Sequence, residues 1–231
     1  MKDWRLIYII FAKSEDKLYI SNKNRQAYFV LLSVCIIFVR INLKNCNVMF
    51  DKETYVQRRA LLKKNIGSGV LLFLGNDEQG LNYEDNAFRY RQDSTFLYYF
   101  GLSFAGLSAI IDIDEDKEII FGDELTIDHI VWMGTQPTLK EKSERVGIRE
   151  TLPSVAIISY LHKAVQKGQT VHYLPPYRPE HKLKLMDWLG IPPARQEGSV
   201  PFIRAVVAQR NYKSAEEIAE IEKACDVTAD M

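Results

Sequence analysis

Tyr90-Arg91-Gln92-Asp93-Ser94-Thr95-Phe96-Leu97-Tyr98-Tyr99-Phe100-Gly101 is the stretch on which the fold turns. Polar side chains lead into the apolar run Phe96 to Phe100, and a glycine closes it. A short continuous run of aromatic β-formers bounded by glycine predicts a strand buried on both faces. Such a strand, fed by a polar hook, sets Arg91, Gln92 and Asp93 at the rim of a sheet. There they can hydrogen-bond a loop, a ligand or a neighbouring subunit. The plainer alternative is that they only cap the strand and pair locally.

Outward from this stretch, helical and strand patterns alternate. Residues 51–65 read as an amphipathic helix with Tyr55, Val56, Ala60 and Leu61 or Leu62 on its apolar side and Gly67 at its C-terminal cap. Residues 69–75 are wholly apolar between two glycines and predict a central strand. Residues 109–114 and 118–121 bracket a polar turn and predict a β-hairpin. The acidic cluster Asp112, Asp114, Glu115 and Asp116 lacks the glycine and distal glutamate of a calcium loop, so it reads as a solvated hairpin tip. Short helices are expected over 139–146, over 154–167 with Val155, Ile158, Leu161 and Val165 inward, and over 180–189 with His181 on the exposed side. A strand is expected over 170–174, and 202–209 form a last apolar stretch. Ser214 and Glu217 have capping-box spacing at the start of a final helix carrying Ile218, Ile221 and Cys225. Together these predict an α/β three-layer domain on a mixed sheet.

Several of these segments also carry a resemblance. Tyr55-x-x-Arg58-Arg59, the strand 69–75, Tyr90-Arg91-Gln92-x-Ser94-x-Phe96-x-Tyr98, Val131-Trp132-Met133-Gly134 and Arg210-x-x-Lys213-Ser214-x-x-Glu217 follow in the order seen in the N-terminal domain of aminopeptidase P. The chain from Tyr55 onward resembles that domain, which belongs to the creatinase/prolidase superfamily. The resemblance implies a mixed sheet of about six strands flanked by helices. It also implies a place in a Xaa-Pro aminopeptidase, whose two manganese-type ions lie in a C-terminal pita-bread domain with no counterpart in this chain. The expected roles of the N-terminal domain are packing on that catalytic domain, helping to build a homo-oligomer, and walling the entrance for peptide substrates. Tyr90, Arg91 and Gln92 are the candidates for the entrance or interface. Leu97 stands where an aromatic residue is common, a departure that bears on any aromatic contact with bound peptide. Creatine hydrolysis and dipeptide-only prolidase action are the runners-up within the superfamily. Outside it, the alternative is a stand-alone, non-catalytic module that binds peptide or partner through the same rim.

Composition sets bounds on the rest. Thirty Lys and Arg balance thirty Asp and Glu, with no long basic stripe, which argues against nucleic acid as main partner. Three cysteines make no disulfide framework and no zinc spacing, so a reducing, cytoplasmic setting is expected. The average conceals a break near Met49. Residues 1–48 hold eight Lys and Arg against three Asp and Glu, with no glycine or proline, where about six would be expected from average usage. The expected organisation is therefore a non-family extension over 1–48, the family-like domain over 49–209, and the start of a linker helix over 210–231. The apolar run 27–39 is shorter than the ~20 residues of a membrane span. A weak anchor, an extra structural element and upstream sequence translated by mistake all stay open for 1–48, and the composition favours the third.

The residue chemistry for catalysis is sparse. His129, His162, His172 and His181 are scattered, none in a metal-spaced pair, and no nucleophile elbow or phosphate loop occurs. Asp128 and His129 are consecutive and do not face each other on a helix or a strand. No metal ligand or catalytic residue is expected within this chain.

Overall fold

The computed structural model describes residues 48–83, 86–134 and 136–231. The apolar run 27–39 lies outside them. Five strands form one mixed sheet in the order β4-β3-β2-β1-β5: β1 (Val70–Leu74), β2 (Ser108–Asp112), β3 (Lys117–Phe121), β4 (Glu150–Leu152) and β5 (Val171–Tyr173). The inner three run antiparallel, with Val70 opposite Asp112 and Ile110 opposite Ile119. The outer two are added in parallel, β5 beside β1 and β4 beside β3. The predicted hairpin is β2–β3, and its turn closes at Asp116 with φ +49°.

Eight α-helices accompany the sheet among the described residues: α1 (Lys52–Ile66), α2 (Ser94–Phe100), α3 (Ile127–Met133), α4 (Leu139–Glu144), α5 (Ala156–Gln166), α6 (Pro179–Leu189), α7 (Val200–Asn211) and α8 (Ala215–Ala229). Side chains alternate across a strand, so β1 divides its residues between two cores. Leu71 and Phe73 join Ala109, Ile111 and Ile120 on the face covered by α1, α2 and α7. Val70 and Leu72 join Ile110, Ile119 and Phe121 on the face covered by α5 and α6. This is the expected three-layer α/β architecture, with five strands described where about six were expected. No described helix is long and apolar enough to cross a membrane.

Four expectations need correction. Residues 96–100 are not a strand but the body of α2. Thr95, Phe96, Tyr99 and Phe100 are its buried residues, a spacing that only a helix turns to one side. The stretch 202–209, read only as apolar, is helical, within α7. In α5 the inward residues are Ile157, Leu161 and Ala164, while Val155 and Val165 are exposed. His181 is buried, not solvated, because its turn of α6 faces the end of β1 together with Leu185. The hairpin tip is solvated only in part. Asp112 is buried and accepts hydrogen bonds from Tyr160 Oη at 2.9 Å and from Gln169 Nε2 at 3.0 Å.

Candidate functional site

The site is built where α1, α2 and the start of α8 meet. α2 begins at Asp93, whose Oδ1 accepts from the backbone N–H groups of Thr95 (2.9 Å) and Phe96 (2.8 Å). It ends at Gly101, in the left-handed region with φ +62°, whose N–H donates to Leu97 O at 2.8 Å. An Asp N-cap and a Gly just past the end are the ordinary signals that bound a helix. The last turn leaves carbonyls that need donors. Arg58 Nη1 donates to Tyr98 O and Arg59 Nη1 to Tyr99 O, each at 3.0 Å, placing two cations at the negative end of the α2 dipole.

Arg59 is fully buried and fully used. Its Nε donates to Glu118 Oε2 at 2.7 Å and its Nη2 to Val146 O at 2.9 Å. Burial lowers its pKa and Glu118 opposes that, so the guanidinium stays charged. Arg58 is 8% exposed and lies over the rings of Tyr98 (4.0 Å to the centroid) and Phe50 (4.8 Å). Its Nη2 is 3.3 Å from Glu217 Oε1, an ion pair without hydrogen-bond alignment, and that buried nitrogen has no hydrogen-bond partner. The other oxygen of Glu217 accepts from Ser214 N at 3.0 Å, completing the capping box of α8.

The polar hook is divided in its work. Gln92 is buried; its Oε1 accepts from Asn76 N (2.8 Å) and Asp93 N (2.9 Å), and its Nε2 donates to Phe104 O at 2.8 Å. The Tyr90 hydroxyl donates to Phe104 O at 2.7 Å, and burial, with the nearby Asp77 charge, pushes its pKa up. These two residues fasten the loop after β1 to the loop after α2. Arg91 does not join in: it is exposed, and its guanidinium has no hydrogen-bond or ion-pair partner among the described residues.

All four candidates, Tyr90, Arg91, Gln92 and Leu97, line a single cleft of about 340 Å³. Arg58, Arg210, Lys213 and Glu217 line it too, giving four cationic side chains against one carboxylate. Arg210 Nη1 also donates to Thr95 Oγ1 at 3.0 Å, tying α7 to α2. Leu97 supplies an aliphatic patch where an aromatic ring would offer a flat face. Arg58, Arg210 and Glu217 stand at motif positions of the sequence but were not among the four candidates.

The described histidine side chains that carry hydrogen bonds do so separately. His172 Nδ1 lies 2.6 Å from Ser199 Oγ, and His181 Nε2 lies 3.1 Å from Gly75 O. His129 lies in α3, and its side chain falls outside the described residues, as does that of Asp128. Among the described residues no group of three or more His, Cys, Asp or Glu could hold a metal ion.

A three-layer α/β domain with a cationic, aromatic cleft beside one short capped helix is thus the class of protein in hand. The sequence profile of the aminopeptidase P N-terminal domain matches residues 55–173, just over half of the chain. The chain belongs to that family. A protein of Chaetomium globosum described as a probable Xaa-Pro aminopeptidase is 30% identical over 112 residues, 47% of this chain and 18% of its own length. The human Xaa-Pro dipeptidase is 33% identical over 90 residues, 38% of this chain and 18% of its own. A single-residue variant of Escherichia coli aminopeptidase P superposes with TM-score 0.64 at 21% identity, covering 78% of this chain and 43% of that one. The zinc-substituted form of the same enzyme, in complex with product, gives 0.60 at 21% identity, with the same coverage. The match therefore spans under a fifth of the curated relatives' length and less than half of the solved chain.

Proposed function

We propose that this chain serves as the N-terminal domain of a metal-dependent Xaa-Pro aminopeptidase of the cytoplasm, acting at the substrate entrance and in subunit assembly instead of in bond cleavage. The observation that supports this is the meeting of three motif segments, around Arg58, Arg91 and Arg210, on one cleft within a family domain. Peptide ends are the expected guests, since the named relatives act on Xaa-Pro peptides. The zinc-substituted relative supports a metal in the whole enzyme, and two manganese ions in a following catalytic domain are part of the proposal. A bimetallic site of that kind would activate a water and polarise the scissile carbonyl. The stand-alone binding module is the reading that gains if the test fails.

The test is capture of the native protein from its host with an antibody against residues 49–231. Its intact mass and its release of the first residue from a Xaa-Pro peptide would then be measured, with chelator and with manganese restored. A mass near twice 26.7 kDa with manganese-restored hydrolysis is expected. A native mass at or below 26.7 kDa with no hydrolysis in any fraction sinks the proposal.

A further inference from the structure

We infer that the cleft beside α2 is a carboxylate-binding site and that its ligand is the free C-terminal carboxylate of a short peptide. This deepens the peptide-handling reading and rests on it for the choice of ligand. Arg91 is the first of the groups such a site needs. An exposed guanidinium without a partner, held on a hook whose other members are fully bonded, is positioned but not consumed. A guanidinium fork matches a carboxylate in two parallel hydrogen bonds.

Arg58 supplies a second, stronger hint. Arg58 lines the cleft and its buried Nη2 lacks a hydrogen bond, so the desolvation that usually weakens ion pairing has already taken place in folding. Glu217 approaches that nitrogen at 3.3 Å without aligning with it. The internal carboxylate thus marks the place that an external one would take, and competes for it. The helix starts bordering the cleft offer no alternative anion site. Asp93 already accepts from Thr95 N and Phe96 N at the start of α2, and at α8 Ser214 Oγ accepts from Glu217 N while the Glu217 carboxylate occupies Ser214 N. Anion recognition in the cleft therefore falls to side-chain cations. Tyr98 and Phe50 wall the cleft with apolar faces, and about 340 Å³ is at the small end of ligand sites, the room of a two- or three-residue peptide end.

The experiment is calorimetric titration of the full chain with acetyl-Ala-Pro-Leu carrying a free carboxylate, with the same peptide as its amide, and with inorganic phosphate. The acetyl group removes the free amine, so binding is read without any hydrolysis and can succeed or fail independently of the aminopeptidase assay. The acid form should bind at least about tenfold more tightly than the amide, the expected scale for a charge-assisted hydrogen bond. Arg91→Gln should erase that preference. Glu217→Gln keeps an oxygen for the Ser214 N–H and should tighten the acid form about threefold or more, because the competing charge is gone. The inference is overturned if acid and amide bind alike or not at all, or if Arg91→Gln binds as the parent does. It is equally overturned if phosphate displaces the peptide at equal concentration, and an unchanged Glu217→Gln removes Arg58 from the site.

Discussion

Arg59 donates to the carbonyl of Tyr99 at 3.0 Å, joining the first helix of the domain to the last turn of the helix that follows the polar hook. Its two other bonds reach β3 through Glu118 and the turn after α4 through Val146, so one side chain ties α1 to α2, β3 and that turn. Replacing it with alanine takes the donor from two buried carbonyls and leaves the Glu118 carboxylate with Lys63 alone. The expected loss is about 3–5 kcal/mol of unfolding free energy, read by urea denaturation. Arg59→Lys cannot serve three directions at once and should recover less than half of that. A loss under about 1 kcal/mol for the alanine variant would contradict this account.

Gly101 should tolerate no side chain. Its φ of +62° disfavours L residues, and a Cβ there would sit 2.4 Å from Cζ of Tyr55. Gly101→Ala is expected to cost about 2–4 kcal/mol, from strain and overpacking together. Tyr55→Leu should relieve the overpacking. In that background the glycine change should cost only about 1 kcal/mol, a coupling that a double-mutant cycle in thermal unfolding would display.

Gln92 should behave as a structural residue and Arg91 as a free one. Gln92→Ala removes the hydrogen bonds that hold the loop after β1 against the loop after α2 and should destabilise the domain by about 2–4 kcal/mol. Arg91→Ala should change stability by less than about 0.5 kcal/mol. Parallel denaturant midpoints for the two variants decide this, and equal losses would refute the division of labour in the hook.

Burial lowers the pKa of His181, and the bond to the Gly75 carbonyl and the charges of Asp93 and Asp77 only partly offset it, while Lys184 adds to the lowering. His172 is lowered as well, chiefly by burial. The unfolded chain then binds protons that the folded domain resists, so stability should fall as pH drops below about 6.5. Denaturant midpoints at pH 7.5 and 5.5 should differ, with the lower value at pH 5.5. His181→Gln should reduce the difference, with His172 accounting for part of what is left. The exposed hairpin carboxylates do not act in this window. Glu115, held down to about 2 by Lys117 and Lys167, titrates far below it.

The layers, most elements and the Ser214 capping box were legible in the residues because periodicity and capping chemistry are local. The reading of 96–100 failed for a physical reason. Five consecutive apolar residues carry no period, so β-propensity decided, although Asp93 before the run and Gly101 after it were helix bounds in plain view. In α6 His181 shares a buried stripe with Leu185, and only the approach of the β1 end, remote in sequence, turns that stripe inward. The cleft was half legible. Tyr90, Arg91, Gln92 and Leu97 were named, but that α1 and α8 would bring Arg58 and Glu217 to them is a tertiary fact. Arg58 and Arg59 were also hidden by type, since arginines on an apolar helix face read as solvent-facing until their carbonyl partners are known.

Phe202, fully buried, stacks edge-on against Phe73 at 5.1 Å, and Gln209 bonds both the Tyr99 hydroxyl and the Arg58 carbonyl. Strand β1 and helices α1 and α2 are thus finished by a segment made more than a hundred residues later. On the ribosome the domain cannot close when its sheet is complete at Tyr173. Packing of that aromatic face is therefore expected only after residues through Gln209 have left the exit tunnel, the last of its native partners to be made.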